Sequence, residues 1–349
     1  MRFRTGSTLG LALLALLTIG PAKAAASGDG EKQSHELGFK AHEKWSFVLP
    51  RETWKSVGTS IDLDGGRSFG AAKTGQAKVE IDTDGDGELD TKVKGVKGFL
   101  TLTKDLRGNK KQKYAVRLRN TGRSWEWSSS GFMQGSVRGK QIRLIDQDGN
   151  GRFNDLGKDA ILIGKSKAAS YLGRTVNIGG SLYDISVSED GSELSSEPFI
   201  GDTARIDVTR NWDGNGKLAA AVFVDKNKTV SFNAAEAKKG GLLVPAGEYR
   251  FASGYAEKGG ESVMIRGGRM RPVQLAADST HEVNWGGPVT MEFAYRQKGE
   301  KITVSADLKF FGNAGEEYHS FQPNAKSPKI LISDRESGKL VQSGRFGGC

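Results

Sequence analysis

The chain has 349 residues, a formal charge of +10, 48 glycines and a single cysteine. That length exceeds one comfortable sandwich or barrel and predicts two or three modules. One cysteine excludes an intrachain disulfide framework, and a dispersed positive charge without interleaved aromatics argues against a nucleic-acid platform.

Residues 1–24 read as an export signal. Arg2 and Arg4 precede an apolar run from Leu9 to Ile19, and the small-residue site Ala22-Lys23-Ala24 follows. The run is too short to span a bilayer comfortably, so cleavage after Ala24 into the periplasm or medium is expected, leaving no membrane-spanning segment. Residues 25–44 are polar and aperiodic and read as a flexible leader. Beyond them, short apolar or alternating runs bounded by Gly, Asn and Asp recur: Ala77–Ile81, Gly98–Thr103, Tyr114–Leu118, Gln141–Ile145, Ala160–Ile163, Leu182–Val187, Ala204–Val208 and Ala219–Val224. Later runs are Gly247–Ala252, Ser262–Ile265, Val273–Leu275, Val289–Tyr295, Ile302–Phe311 and Ile330–Ser333. Helical periods are scarce, so the expected fold is all-β, with sandwich- or barrel-like modules. The expected modules are a β domain at 45–195, a β module at 196–275 and a small immunoglobulin-like sandwich at 276–349. Cys349, the last residue, reads as incidental or as a point for an intermolecular disulfide.

The first module repeats an acidic phrase. It reads Ile81-Asp-Thr-Asp-Gly-Asp-Gly-Glu-Leu-Asp90 and then Ile145-Asp-Gln-Asp-Gly-Asn-Gly-Arg-Phe-Asn154. Oxygen-bearing side chains recur at alternate positions, Asp82, Asp84, Asp86 and Asp146, Asp148, Asn150, and a glycine follows each set. Calcium takes six to eight oxygens, which a chain supplies by curling with alternate side chains inward and a sharp glycine turn. The carbonyls of Glu88 and Arg152 and the side chains of Asp90 and Asn154 complete the expected ligand set. A helix-loop-helix EF-hand requires a bidentate Glu at position twelve. Val93 and Gly157 stand there, and the entering segments alternate like strands. In the second copy Asp155 or Asp159 is the candidate to supply the missing carboxylate.

These nine-residue phrases resemble the Asp-x-Asp-x-Asp-Gly-x-x-Asp loops between strands of integrin-type propellers and many exported bacterial β-rich proteins. The resemblance implies EF-hand-like calcium sites and no overall activity. Asp146–Ile163 also resembles repeats of exported bacterial proteins of uncharacterised role, and Val244-Pro-Ala-Gly-Glu-Tyr-Arg250 resembles a phrase of exported β-sandwich repeats. A degenerate third copy, Asn211-Trp-Asp-Gly-Asn-Gly-Lys-Leu218, has one carboxylate, Asp213, too little charge for a hard dication.

Catalytic motifs are missing from the sequence. His35 and His42 lie in the leader; His281 and His319 sit near carboxylates and serines without a Gly-x-Ser-x-Gly elbow. Trp125 and Trp127 share one face of a strand, as sandwich core or as a sugar-stacking platform. The clusters Lys110-Lys111-Gln112-Lys113 and Arg266-Gly-Gly-Arg-Met-Arg271 read as hairpin tips, with an acidic polysaccharide as the sharper alternative. The expectation is an exported, calcium-binding β protein of surface binding or interaction, with a cell-surface polysaccharide or protein as partner and no nucleic acid. The alternative is a carbohydrate-binding or carbohydrate-active hydrolytic protein.

Overall fold

In the computed structural model, residues 30–106, 110–237, 240–299, 301–323 and 328–346 are described. The export segment and Cys349 lie outside them. The described chain is all-β, built of short strands in mostly antiparallel sheets, with one 3-10 turn at Ala234–Glu236 and no α-helix. Apolar alternation marks the centres of the strands, and polar residues extend them. The run expected over Tyr114–Leu118 becomes Lys110–Asn120 because main-chain pairing continues beyond the apolar run.

Two large cores organise the chain. The first runs from Leu37 to Leu194 and contains Ile61, Phe69, Leu102, Val116, Trp125, Trp127 and Leu144. The second runs from Ala204 to Tyr318 around Phe223, Tyr249 and Trp285. A small third cluster, including Phe132, Ile145 and Leu162, lies on the opposite face of the sheet that supplies Leu144. No change of core falls at 275/276. Strand Glu261–Arg266 pairs with Glu317–Gln322, so the same sheet continues across the expected boundary. Among the described residues an independent sandwich over 276–349 is therefore not seen, and Lys329–Ser333 with Leu340–Arg345 forms a separate hairpin.

The leader is corrected as well. Gln33–Glu36 pairs with Glu193–Ser196, and Gly38–Ala41 pairs with Gly131–Gln134. Both are edge strands held mainly by the backbone, with Leu37 buried between them, so no apolar alternation announced them.

Trp125 and Trp127 are core. They are 1% and 2% exposed, which removes the sugar platform. Trp127 meets Tyr114 edge-on, with ring centres 6.5 Å apart, and this contact supports one of the acidic loops from below.

Candidate metal centres

Each acidic loop joins two antiparallel neighbours. Lys78–Ile81 leads into the first and Thr91–Lys94 leaves it, with Ile81 opposite Thr91. Lys140–Ile145 leads into the second and Ala160–Ile163 leaves it, with Ile145 opposite Ala160. The loops start alike. Asp82 Oδ1 accepts the N–H of Gly85 at 2.6 Å and Oδ2 that of Gly87 at 3.0 Å. Asp146 Oδ1 accepts the N–H of Gly149 at 2.6 Å and Oδ2 that of Gly151 at 2.5 Å. Glycine is required because all four have positive φ, from 70° at Gly149 to 96° at Gly87. Further on, Asp86 accepts from Glu88 N and Asn150 from Arg152 N, both at 2.8 Å.

The curl gathers carboxylates. Oxygens of Asp82, Asp84 and Asp86 lie within 4.8 Å of one another, and so do those of Asp146, Asp148 and Asp159. Either group can hold a metal ion. The second is the better enclosed, since Asp146 and Asp159 are wholly buried, whereas Asp84 and Asp86 are exposed. Asp148 adds a buried Oδ1 with no hydrogen-bond partner. Lys158 Nζ stands 4.0 Å from its other oxygen. The carbonyls of Glu88 and Arg152 accept no hydrogen bond within the described chain, which leaves them available as ligands.

Strand register identifies a pair that motif counting does not. Asp90 and Asp159 each immediately precede the exit strand, and each accepts the N–H of the residue after the loop's first Asp. Thr83 N donates to Asp90 at 3.0 Å, and Gln147 N donates to Asp159 at 3.3 Å. Asp159 is thus the counterpart of Asp90, and the second loop carries a five-residue insertion relative to the first. Asn154, which matches Asp90 by counting, has no such contact. Asp155 turns aside: its carboxylate accepts from Asn150 Nδ2 at 2.5 Å and its N–H donates to Asp159 Oδ2 at 2.8 Å. Of the two candidates for the missing carboxylate, the fold brings in Asp159. Asp90 is held outside the first group by Thr83, whose hydroxyl also donates to it at 2.8 Å.

The charge environments differ accordingly. Burial raises Asp159 to about 9, and the charge of Asp146 adds to this. Burial also raises Asp146 to about 7, against hydrogen bonds from Tyr114 and Gly151 N. At 4.8 Å two full charges in this buried group repel by about 3.5 kcal/mol at an effective dielectric of about 20, which a dication between them would reverse. In the first loop Asp84 is raised by desolvation and then by the neighbouring carboxylates. Desolvation also pushes Asp90 up, but the bonds from Thr91 and Thr83 outweigh it and hold the group low.

The second loop is also anchored from outside. Tyr114 donates its hydroxyl to Asp146 at 2.8 Å. Lys55 donates to the Gly149 carbonyl at 2.7 Å and Arg67 to the Gly151 carbonyl at 2.9 Å. Sequence reading could not supply these three, because each comes from a distant strand or hairpin.

The remaining candidates do not assemble. Asn211–Leu218 forms no acidic group; Trp212–Asp213 instead pairs in parallel with Trp285–Gly286. No hydrogen bond joins His281 or His319 to a carboxylate among the described residues, and the His319 ring shares a hydrogen bond with its neighbour Ser320 through Nδ1, at 2.9 Å. In the basic cluster at 266–271, Arg266 pairs with Glu317 and Arg269 with Glu292, which removes much of its free charge.

No family model matches the chain, nor does any curated protein or solved structure. Among the described residues no helix is long and apolar enough to cross a membrane.

Proposed function

We propose that the chain is an exported, calcium-binding β protein, in which the loops at Asp82 and Asp146 hold calcium as a structural ion and the modules serve surface binding. The convergence of Asp146, Asp148 and Asp159 carries the reading, since three carboxylates share one partly enclosed space and one of their oxygens is buried without a partner. Both groups offer oxygen alone, which suits a hard cation. Neither contains the His or Cys that zinc favours. Irregular loops with carbonyl ligands suit calcium's flexible coordination better than the strict octahedron of magnesium. Affinity is expected on the order of 10⁻⁴–10⁻³ M, as in extracellular modules. The role of the ion is to replace carboxylate repulsion by attraction and so stabilise the folded state by mass action.

Export rests on the sequence of residues 1–24. Buried Trp125 and Trp127 count against the hydrolytic alternative, which loses its substrate platform. Thermal melting tests the proposal. Excess calcium should raise Tm and a chelator lower it, whereas magnesium at the same concentration should do much less. Superimposed curves with calcium and with chelator would remove the structural-calcium reading.

A further inference from the structure

Alternation gives strand Lys110–Asn120 two chemically opposite faces. Val116 and Leu118 enter the first core, so Arg117 and Arg119 stand on the other face. Cross-strand register sets Phe99 and Ser128 beside Arg117, and Lys97 and Glu126 beside Arg119. The segment preceding strand Lys55–Ser56 crosses this face and lays two tryptophans against the arginines. The guanidinium carbon of Arg117 lies 4.0 Å from the Trp45 ring centre and 5.1 Å from that of Trp54; that of Arg119 lies 4.0 Å from Trp54. These side chains, with Glu43, Glu52, Lys97 and Phe99, line a cleft of about 540 Å³, a volume suited to a small ligand.

Arg119 is already paired with Glu126, its Nε donating at 2.8 Å, but the walls still carry more donors than acceptors. Arg117 Nε and Nη1 and the indole N–H groups of Trp45 and Trp54 are buried without a partner, although Arg117 is only 9% exposed. Its remaining nitrogen, Nη2, donates to Glu52 at 2.5 Å and to Ser128 Oγ at 3.1 Å. Burial pulls the Arg117 pKa down to about 10, the charge of Glu52 opposing this only in part. Lys97 is exposed and, among the described residues, has no acidic partner. Buried donors cost stability unless something accepts from them. A ligand that fits is anionic and rich in acceptors, with an apolar ring face for the indoles.

We propose that this cleft binds an acidic sugar, a uronate residue of an extracellular polysaccharide. Its carboxylate takes over the arginine from Glu52, its other oxygens accept from the indole and amine donors, and its C–H face packs on Trp45 and Trp54. Glu52 is the group to yield, because its side chain is 44% exposed while that of Arg117 is 10% exposed. The inference goes beyond the calcium reading and stands apart from it, since melting curves judge the loops and sugar titration judges the cleft.

Calorimetric titration of the full calcium-loaded protein with tetragalacturonate tests it, with the methyl ester of the same oligosaccharide and a hexa-aspartate peptide as controls. The uronate should bind at least about tenfold tighter than either, because only it combines a charge for the guanidinium with a ring for the indoles. Glu52→Gln should tighten uronate binding by about threefold, the size expected from removing an exposed competing ion pair. Trp54→Ala should abolish binding while the calcium response of Tm persists. The proposal is overturned by no binding of the uronate, by equal binding of the ester or the peptide, or by unchanged or weaker binding to Glu52→Gln. Should Trp54→Ala fail to fold, the Glu52→Gln result decides.

Discussion

Asp82 and Asp146 brace their loops through matching glycine N–H groups, yet one loop stands in solvent and the other is enclosed by its neighbours. The first has three aspartates in its group and, among the described residues, no basic side chain paired with any of them. In the second, Asn150 replaces an aspartate and Lys158 lies near, but a wholly buried carboxylate is recruited from beyond the motif. Charge and enclosure have been traded against each other. An exposed site can be empty at small cost because water solvates its carboxylates. A buried one cannot, so its occupation is coupled to the stability of the sheets that build it.

Removal of the leading aspartate should break the resemblance most strongly. In calcium, Asp146→Ala strands the N–H groups of Gly149, Asn150 and Gly151 and the Tyr114 hydroxyl, most of them buried. The expected loss is at least about 3 kcal/mol, since each stranded buried group costs about 1–3 kcal/mol. Asp82→Ala exposes part-buried donors that water can reach, and about 1 kcal/mol is expected. Urea unfolding of both variants in saturating calcium measures the difference. Equal losses would mean that enclosure does not distinguish the loops.

Proton competition sharpens the comparison next. Asp146 and Asp159 are raised to about 7 and about 9, above the ordinary aspartate value of 3.8. A raised folded-state pKa contributes stability that is full below the unfolded value and is lost as pH rises through the folded value. In chelator, Tm should therefore fall as pH rises through about 7 and on towards about 9. Calcium binds the ionised forms and reverses the sign, so the Tm gain on adding calcium should grow between about pH 6 and pH 9. Asp159→Asn should flatten that growth, whereas Asp82→Ala should leave it. A gain independent of pH would show that Asp146 and Asp159 are not the ligands.

The alternating acids followed by glycine made the loops legible in sequence, because a curled chain around a cation leaves a fixed local spacing. Asp159 was legible only as one of two choices. Its partnership with Asp146 comes from strand register across an insertion, and local spacing carries no register. The tryptophans teach the same limit. Period two places Trp125 and Trp127 on one face but does not say which way that face looks. The residues that stand against the arginines on the other face of strand Lys110–Asn120 are Trp45 and Trp54, in a segment without alternation. The edge strands Gln33–Glu36 and Gly38–Ala41 show no apolar alternation because backbone pairing and polar contacts from Ser34 and His35, more than burial, hold them.

The smallest expected difference concerns the glycines that turn the two loops. Gly87 and Gly151 follow the third ligand position in each copy, with φ of 96° and 86°, where a side chain is strained by about 1–2 kcal/mol. A Cβ at Gly87 meets nothing within 4 Å, so Gly87→Ala should cost only that strain. A Cβ at Gly151 would lie 2.2 Å from Arg67 Nη2 and 3.0 Å from Leu63 Cβ. Arg67 can swing away, but it would then release its hydrogen bond to the Gly151 carbonyl, whereas Leu63 need give only a few tenths of an ångström. Gly151→Ala should thus exceed Gly87→Ala by about 1 kcal/mol, one net hydrogen bond, and should weaken calcium's effect on Tm as the loop is pushed off the Arg67 hairpin. Arg67→Ala in the same background removes the obstructing guanidinium and should bring the two glycine substitutions to nearly equal cost. If the gap persists without Arg67, the contact with Leu63 sets it, and the second loop is held by its packing more than by its hydrogen bonds.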